Sequence, residues 1–89
     1  MEQALILGKL SHRVPSNILE KFKTIEGVIE ANLIFGPYDF YVTIKTDSKE
    51  MMGDIAFQIR SIDGVIDSLT CYVVSSTVQI DALNVTDIG

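Results

Sequence analysis

Apolar residues recur at helical spacing in two stretches of the chain, at intervals of four, four and three residues each time. The first stretch comprises Val14, Ile18, Phe22 and Ile25. The second comprises Met51, Ile55, Ile59 and Ile62. This spacing predicts two helices that each bury one side. Pro15 suits the first turn of the earlier helix, where its missing N–H costs nothing, and Met51 and Met52 are expected in the core.

Glycine and capping residues indicate where these helices end and begin. Gly27 and Gly64 follow the two apolar stripes, and glycine readily adopts the left-handed turn that terminates a helix. For the start of the second helix the sequence offers two alternatives. Asp47 and Glu50 have the spacing of a capping box, and Ser48 is a competing cap.

Four stretches around the helices have the composition of strands. They are residues 3–10, 28–35, 39–46 and 65–75. A tight Gly36-Pro37-Tyr38 turn joins the middle two into a hairpin. The resulting order, β-α-β-β-α-β, predicts a ferredoxin-like α+β fold. Right-handed crossovers place both helices on one face of a four-stranded antiparallel sheet.

The chain contains an internal repeat. Residues 23–30 align with residues 60–67 at a constant offset of 37 residues, and all eight pairs are identical or conservative. The sequence therefore predicts two copies of one helix-plus-strand unit.

Apolar side chains are predicted on both faces of the sheet. In the third strand, Phe40, Val42 and Ile44 alternate with Tyr41, Thr43 and Lys45. In the fourth, Ile66, Tyr72 and Val74 oppose Val65, Leu69, Cys71 and Val73. Two faces with this many apolar side chains are more than a sheet with one solvent-exposed face requires. It favours sheet-to-sheet association in a dimeric α/β barrel, and the alternative is simple exposure of a few apolar groups.

Composition and charge limit the classes of protein to which this chain can belong. The 89 residues, 47% hydrophobic and 21% charged, are enough for one domain with a modest core. A net charge of −5 without a run of Lys or Arg argues against direct nucleic-acid binding. Cys71 is the only cysteine, which excludes an intramolecular disulfide. The N-terminal apolar run is too short for a signal peptide or a membrane span, so a cytoplasmic protein without membrane contact is expected.

The sequence shows no set of residues with recognisable catalytic or metal chemistry. It lacks the GxSxG, GxxxxGK[ST] and GxGxxG motifs. His12 and Cys71 each stand alone, whereas a metal site needs converging ligands. We therefore expect no metal, no cofactor and no catalysis. The alternative is a small dimeric α/β-barrel enzyme, of monooxygenase or isomerase type, that uses His12.

The hairpin carries the clearest functional signal, with Gly36-Pro37-Tyr38-Asp39 in succession. Together with Ile25-Glu26-Gly27-Val28 before it and Gly64-Val65-Ile66-Asp67-Ser68-Leu69-Thr70 after it, the chain resembles the effector-binding (RAM-type) domain of the Lrp/AsnC family of transcriptional regulators. The resemblance covers roughly residues 3–75. Ser68 stands where the family pattern has a threonine.

The resemblance implies an amino acid or similar small effector, bound where dimers meet in a larger ring. It implies ligand contacts by Gly36, Tyr38 and Asp39 from the hairpin, with Ser68 and Thr70 from the last strand. A carboxylate such as Asp39 can pair with an α-ammonium group, and hydroxyls and loop amides can receive an α-carboxylate.

The family's regulators also have an N-terminal helix-turn-helix domain, and this chain begins directly at the first strand. The sequence is therefore interpreted as one stand-alone effector-binding domain, residues 1–89, with a core at 3–75 and a C-terminal extension at 76–89. Two roles remain open within this interpretation: an amino-acid sensor that forms a homodimer and a higher oligomer, and an architectural partner of full-length Lrp/AsnC-type regulators.

Overall fold

The six predicted elements occur in the expected order in the computed structural model, which describes residues 2–73. They are β1 (Glu2–Leu10), α1 (Ile18–Lys23), β2 (Val28–Leu33), β3 (Phe40–Thr46), α2 (Lys49–Arg60) and β4 (Val65–Tyr72). The strands form one antiparallel sheet in the order β2-β3-β1-β4. The predicted ferredoxin-like α+β fold is confirmed, and the predicted extension 76–89 lies outside the described residues.

The core lies between the two helices and one face of the sheet. Its buried apolar side chains come from alternate strand positions and from the inner sides of the helices: Ala4, Ile6, Ile18, Phe22, Ala31, Phe40, Val42, Ile44, Met52, Ile55 and Ile59. The rings of Phe22 and Phe40 pack with their centroids 4.6 Å apart. The helices therefore cover the same face, as the crossover rule predicts. Within residues 2–73, neither helix is long and apolar enough to cross a membrane.

The second helix begins with a serine cap. The Ser48 hydroxyl accepts a hydrogen bond from the Met51 N–H at 3.1 Å, so Ser48, of the two alternatives, occupies the cap position. Met52 is fully buried and Met51 is 43% exposed. The prediction of Met51 as a core residue is wrong. Both methionines have helical spacing to Ile55, and the way α2 packs on the sheet buries Met52 and leaves Met51 at the edge of the helix.

The first helix is shorter than its apolar stripe. It begins at Ile18, so the prediction that Pro15 lies in its first turn is wrong. Residues 15–18 instead form a turn in which the Ile18 N–H donates to the Pro15 carbonyl at 3.2 Å. Val14 and Ile25 still pack against the core from outside the helix. The stripe therefore reports burial correctly and helix length incorrectly.

The repeat corresponds to a repeated backbone feature. Gly27 and Gly64 both have φ of +100°. The prediction that they terminate the helices is wrong, because α1 and α2 end at Lys23 and Arg60 with right-handed caps, and each glycine lies in the turn directly before the next strand. Two residues further on, Ile29 and Ile66 each fall at a shift in strand register, and both side chains are more than half exposed. Each copy thus consists of a glycine turn, a partly buried valine and a bulged isoleucine at an edge strand, and bulges of this kind discourage further strand pairing.

Because of the bulge at Ile66, one predicted face of β4 is wrong. Val65 packs against the core, whereas Leu69 pairs with Leu7 on the other side of the sheet. Val65 and Leu69 were expected on the same face. The extra residue at Ile66 shifts the alternation by one position, which is why they lie on opposite faces.

The face of the sheet away from the helices is partly apolar. Leu5 pairs with Cys71 and Leu7 with Leu69 across β1 and β4, and Leu69 is 48% exposed. On the β2–β3 half, the Tyr41 hydroxyl donates to Glu30 Oε2 at 2.8 Å. We call this surface the open face.

Replacing Gly27 or Gly64 by alanine is expected to lower the free energy of unfolding by about 1–2 kcal/mol, since a side chain is strained at positive φ. A Cβ at Gly27 would also lie 2.6 Å from Ile55 Cδ1. Gly53 is the matched control, because it lies within α2 with open space around an added Cβ. Gly53→Ala should stabilise by about 0.4–1 kcal/mol. Urea unfolding at one protein concentration compares the three variants, and equal effects at all three positions would contradict this assignment.

Candidate ligand-binding site

The hairpin between β2 and β3 projects from one end of the sheet. Its turn contains Gly36 at φ +143°, a conformation that side chains rarely adopt. Phe35, immediately before it, is fully exposed. An apolar ring beside a polar, tight turn is unusual for a surface that only meets water.

Asp39 fixes the base of this hairpin through three hydrogen bonds. Its N–H donates to the Gly8 carbonyl at 2.7 Å, and its carbonyl accepts from the Ile34 N–H at 2.9 Å. Its side-chain Oδ2 accepts from the Leu10 N–H at 2.8 Å. The hairpin is therefore tied to the end of β1, and one oxygen of the exposed Asp39 carboxylate takes part in this contact.

An open cavity of about 620 Å³ lies between the hairpin and the loop that follows β1. Its lining combines apolar side chains with a hydroxyl, an imidazole and a carboxylate, contributed by Leu10, Ser11, His12, Leu33, Ile34, Phe35 and Asp39. A volume in the range of roughly 300–1,000 Å³, an apolar wall and a few polar groups are what small-molecule sites share.

Of the five predicted site residues, the structure places three on the hairpin. Asp39 lines the cavity directly. Gly36 and Tyr38 lie in the same turn, beside the lining residues and outside the lining itself. Within one chain the cavity therefore has one of the predicted ligand contacts in its wall and two next to it.

The other two predicted residues lie on β4. Ser68 pairs with Gly8 and Thr70 pairs with Ile6. Phe40, on β3, pairs with Gly8 across the opposite edge of β1. Ser68 on β4 is therefore two strands away from Phe40, roughly 10 Å at the usual strand spacing. One chain does not bring Ser68 or Thr70 into the cavity with Asp39, and their role as ligand contacts stays a prediction.

The Phe40 ring lies against Gly8, the residue that pairs with Ser68. Gly8 has no side chain, and a Cβ there would collide with Cζ and Cε2 of Phe40. The buried ring thus lies across Gly8 and fills the helix-side space beside the hairpin base. Gly8 is required for this close approach.

Sequence reasoning missed most of the cavity wall, namely Leu10, Ser11, Leu33, Ile34 and Phe35. The available signal was the uninterrupted apolar run 33–35 leading directly into a Gly-Pro turn. Such a run indicates a surface that another molecule covers. The contribution of Leu10 and Ser11 depends on the tertiary contact at Asp39, which no local pattern contains.

His12 lines the same cavity and is exposed to solvent. The catalytic alternative needs the ring in a closed site that excludes water, and in the single chain the His12 ring lies at an open cavity. Among residues 2–73, no group of three His, Cys, Asp or Glu side chains is arranged to hold a metal ion.

A known protein family matches most of the chain. The model of the Lrp/AsnC ligand binding domain matches residues 3–83, and the chain belongs to this family. No curated protein matches the chain.

Solved structures share the fold. FFRP-DM1 is 27% identical over 83% of this chain and 100% of that chain, with a TM-score of 0.73. The hypothetical protein PHS023 from Pyrococcus horikoshii is 26% identical over 86% of this chain and 94% of its own, with a TM-score of 0.72. A feast or famine regulatory protein from M. tuberculosis, solved with L-methionine, is 15% identical over 86% of this chain and 52% of that chain, with a TM-score of 0.72.

Two substitutions at Asp39 separate its structural role from its charge. Asp39→Ala removes the acceptor for the Leu10 N–H and should lower the free energy of unfolding by about 1 kcal/mol, since water replaces part of the bond. Asp39→Asn keeps an acceptor oxygen and should cost less than about half of that. Urea unfolding measures both, and an equal loss in the two variants would show that the Leu10 bond does not stabilise the hairpin.

Proposed function

We propose that this chain is a non-catalytic effector-binding module that binds an amino acid at the hairpin cavity. The observation that carries the proposal is the Asp39 carboxylate, held by the Leu10 N–H within a cavity that is otherwise mainly apolar. Membership of a family of ligand-binding domains supports it. So does the shared fold with a regulator that was solved with L-methionine.

The Asp39 carboxylate is the proposed partner of the α-ammonium group. An ionised carboxylate forms strong, charge-assisted hydrogen bonds with such a donor. Gly36 and Tyr38 are proposed to complete the hairpin side of the site. The rigid Pro37 ring reduces the freedom that the loop loses when a ligand binds.

Ser68 and Thr70 are proposed to contact the ligand from a neighbouring subunit. The support is the resemblance to the family, which implies ligand contacts at these two positions. Within one chain the two hydroxyls lie on β4 and do not line the cavity, so the contact would come from another copy. A site shared between subunits also explains why the cavity is open in a single chain. Ligand binding and assembly would then stabilise each other.

The open face is the proposed dimer interface. Leu5, Leu7 and Leu69 form an apolar strip on β1 and β4, and strips of this kind on small domains are commonly covered by a second copy. Dimers are then proposed to assemble into a larger ring. The net charge of −5 argues against DNA binding by the chain itself. An effect on transcription is therefore proposed to act through full-length Lrp/AsnC-type regulators.

A thermal-shift screen against the twenty amino acids tests the proposed function. A ligand present at 100 times its dissociation constant should stabilise the protein by about 2.7 kcal/mol, because it binds only the folded state. Asp39→Asn should abolish the shift while leaving the unliganded protein folded. If no amino acid shifts the melting temperature of the oligomeric protein, the proposal fails.

Leu69→Lys tests the interface. A lysine in the apolar strip should shift the oligomer to a smaller species, since burying an unpaired charge is costly. Phe57→Lys is the matched control, because Phe57 is also exposed, at 62%, and lies on α2 in the helix layer. Sedimentation velocity reports the masses. An unchanged mass for Leu69→Lys would rule out the open face as the interface.

A further inference from the structure

We infer that the groove between α1 and α2 docks an acidic amphipathic helix of a partner protein. The groove has a volume of about 390 Å³, and its lining comes from residues within 21–25 and 57–62, which are the last turn of each helix and the turn that follows it. The inference goes beyond the proposed function, which uses the hairpin cavity and the open face and leaves the helix layer uncovered. Its support is the apolar surface, the bonding and the charge of the groove.

The apolar surface of the groove is left uncovered by the folded chain. Ile25 and Ile62 pack against the core from the turns that follow the helices, and both are partly exposed. Phe57 is 62% exposed. One exposed ring is ordinary on a protein surface, but this ring lines the same concave surface as the two isoleucines. Concave apolar surfaces of this kind receive the apolar anchor residues of a partner.

The backbone of the groove decides which conformation the occupant has. The N–H groups of Thr24, Ile25, Ser61 and Ile62 donate to carbonyls of their own turns at 3.0 to 3.2 Å. An extended segment laid against these turns finds none of the four N–H groups free, so its own carbonyls lose their bonds to water. A helix satisfies its backbone internally and presents only side chains to a groove. The occupant is therefore a helix.

Two hydroxyl groups of the lining are also engaged within the chain. The Thr24 hydroxyl donates to the Lys21 carbonyl, and the Ser61 hydroxyl donates to the Phe57 carbonyl, each at 2.7 Å. The Lys21 ammonium and the Gln58 amide remain as side-chain donors in the described part of the lining. The polar contacts of the occupant are therefore made by an acceptor.

The charge of the groove makes that acceptor a carboxylate. Of the described residues in the lining, Lys21 alone is charged, and its side chain is half-buried. The exposed Glu20, Glu26 and Asp63 are neighbours of lining residues in the chain and lie outside the lining. A carboxylate on the occupant forms a charge-assisted bond with the ammonium, whereas a second cation is repelled by it.

Fluorescence anisotropy with two designed peptides tests the inference. The first probe is a labelled helix of about 14 residues with leucines at i, i+3, i+4 and i+7 and glutamates beside the leucines. The second probe has lysine in place of each glutamate. We expect the glutamate peptide to bind at least about fivefold more tightly. This preference is the opposite of the one that the net charge of −5 favours.

Substitutions assign the binding to the groove. Phe57→Ser should weaken the glutamate peptide at least about tenfold, since the ring is the proposed anchor. Tyr72→Ser is the matched control, because Tyr72 is also exposed, at 54%, and lies on β4. Lys21→Glu should reverse the preference between the two peptides. Lys49→Glu makes the same charge change at an exposed position in the first turn of α2 and should not reverse it.

The outcomes separate this inference from the proposed function. A glutamate peptide that does not bind, or that binds Phe57→Ser as tightly as the unchanged protein, overturns the inference. A smaller oligomer mass for Phe57→Ser in sedimentation velocity shows that a second copy occupies the groove, which also overturns it. Amino-acid binding in the thermal-shift screen does not involve the groove, so either proposal can fail while the other stands.

Discussion

The three hydrogen bonds of Asp39 are the interaction on which the functional end of the molecule depends. They join β1 to the hairpin and set the distance between the hairpin and the β1–α1 loop. Both walls of the cavity come from these two segments. The same carboxylate that positions the walls is the charged group inside the cavity. In the proposed function, structure and recognition share one side chain, and Asp39→Ala is expected to affect both.

Much of the fold could be predicted from the sequence because its causes are local. The repeat places a glycine at the end of each apolar helical stripe, and both glycines adopt the same positive φ. Alternation in 39–46 gives the buried positions of β3 correctly. The errors have local causes too. Helical spacing alone did not decide between Met51 and Met52, and it did not reveal that a turn replaces the first part of the predicted α1.

The site could be predicted only in part, because it is assembled by tertiary contacts. Turn chemistry and the family resemblance indicated the hairpin and Asp39. Leu10, Ser11 and His12 lie at the cavity because of tertiary contacts such as the Leu10–Asp39 bond, which joins residues 29 positions apart, and the bond from the Ser11 N–H to the Gly64 carbonyl. Ser68 and Thr70 lie on β4, away from the cavity of their own chain, so their contribution depends on how subunits meet. A single sequence carries no direct record of that arrangement.

Amide chemical-shift mapping is the most direct test of the central claim, that the hairpin cavity is the ligand site. Isotope-labelled protein is titrated with the amino acid that binds most tightly. The largest saturable shifts are expected at the amides of Leu10, His12, Phe35 and Asp39, on both walls of the cavity. Largest shifts in the groove between the helices, around Lys21, Thr24 and Phe57, with the hairpin amides unmoved, would contradict the claim.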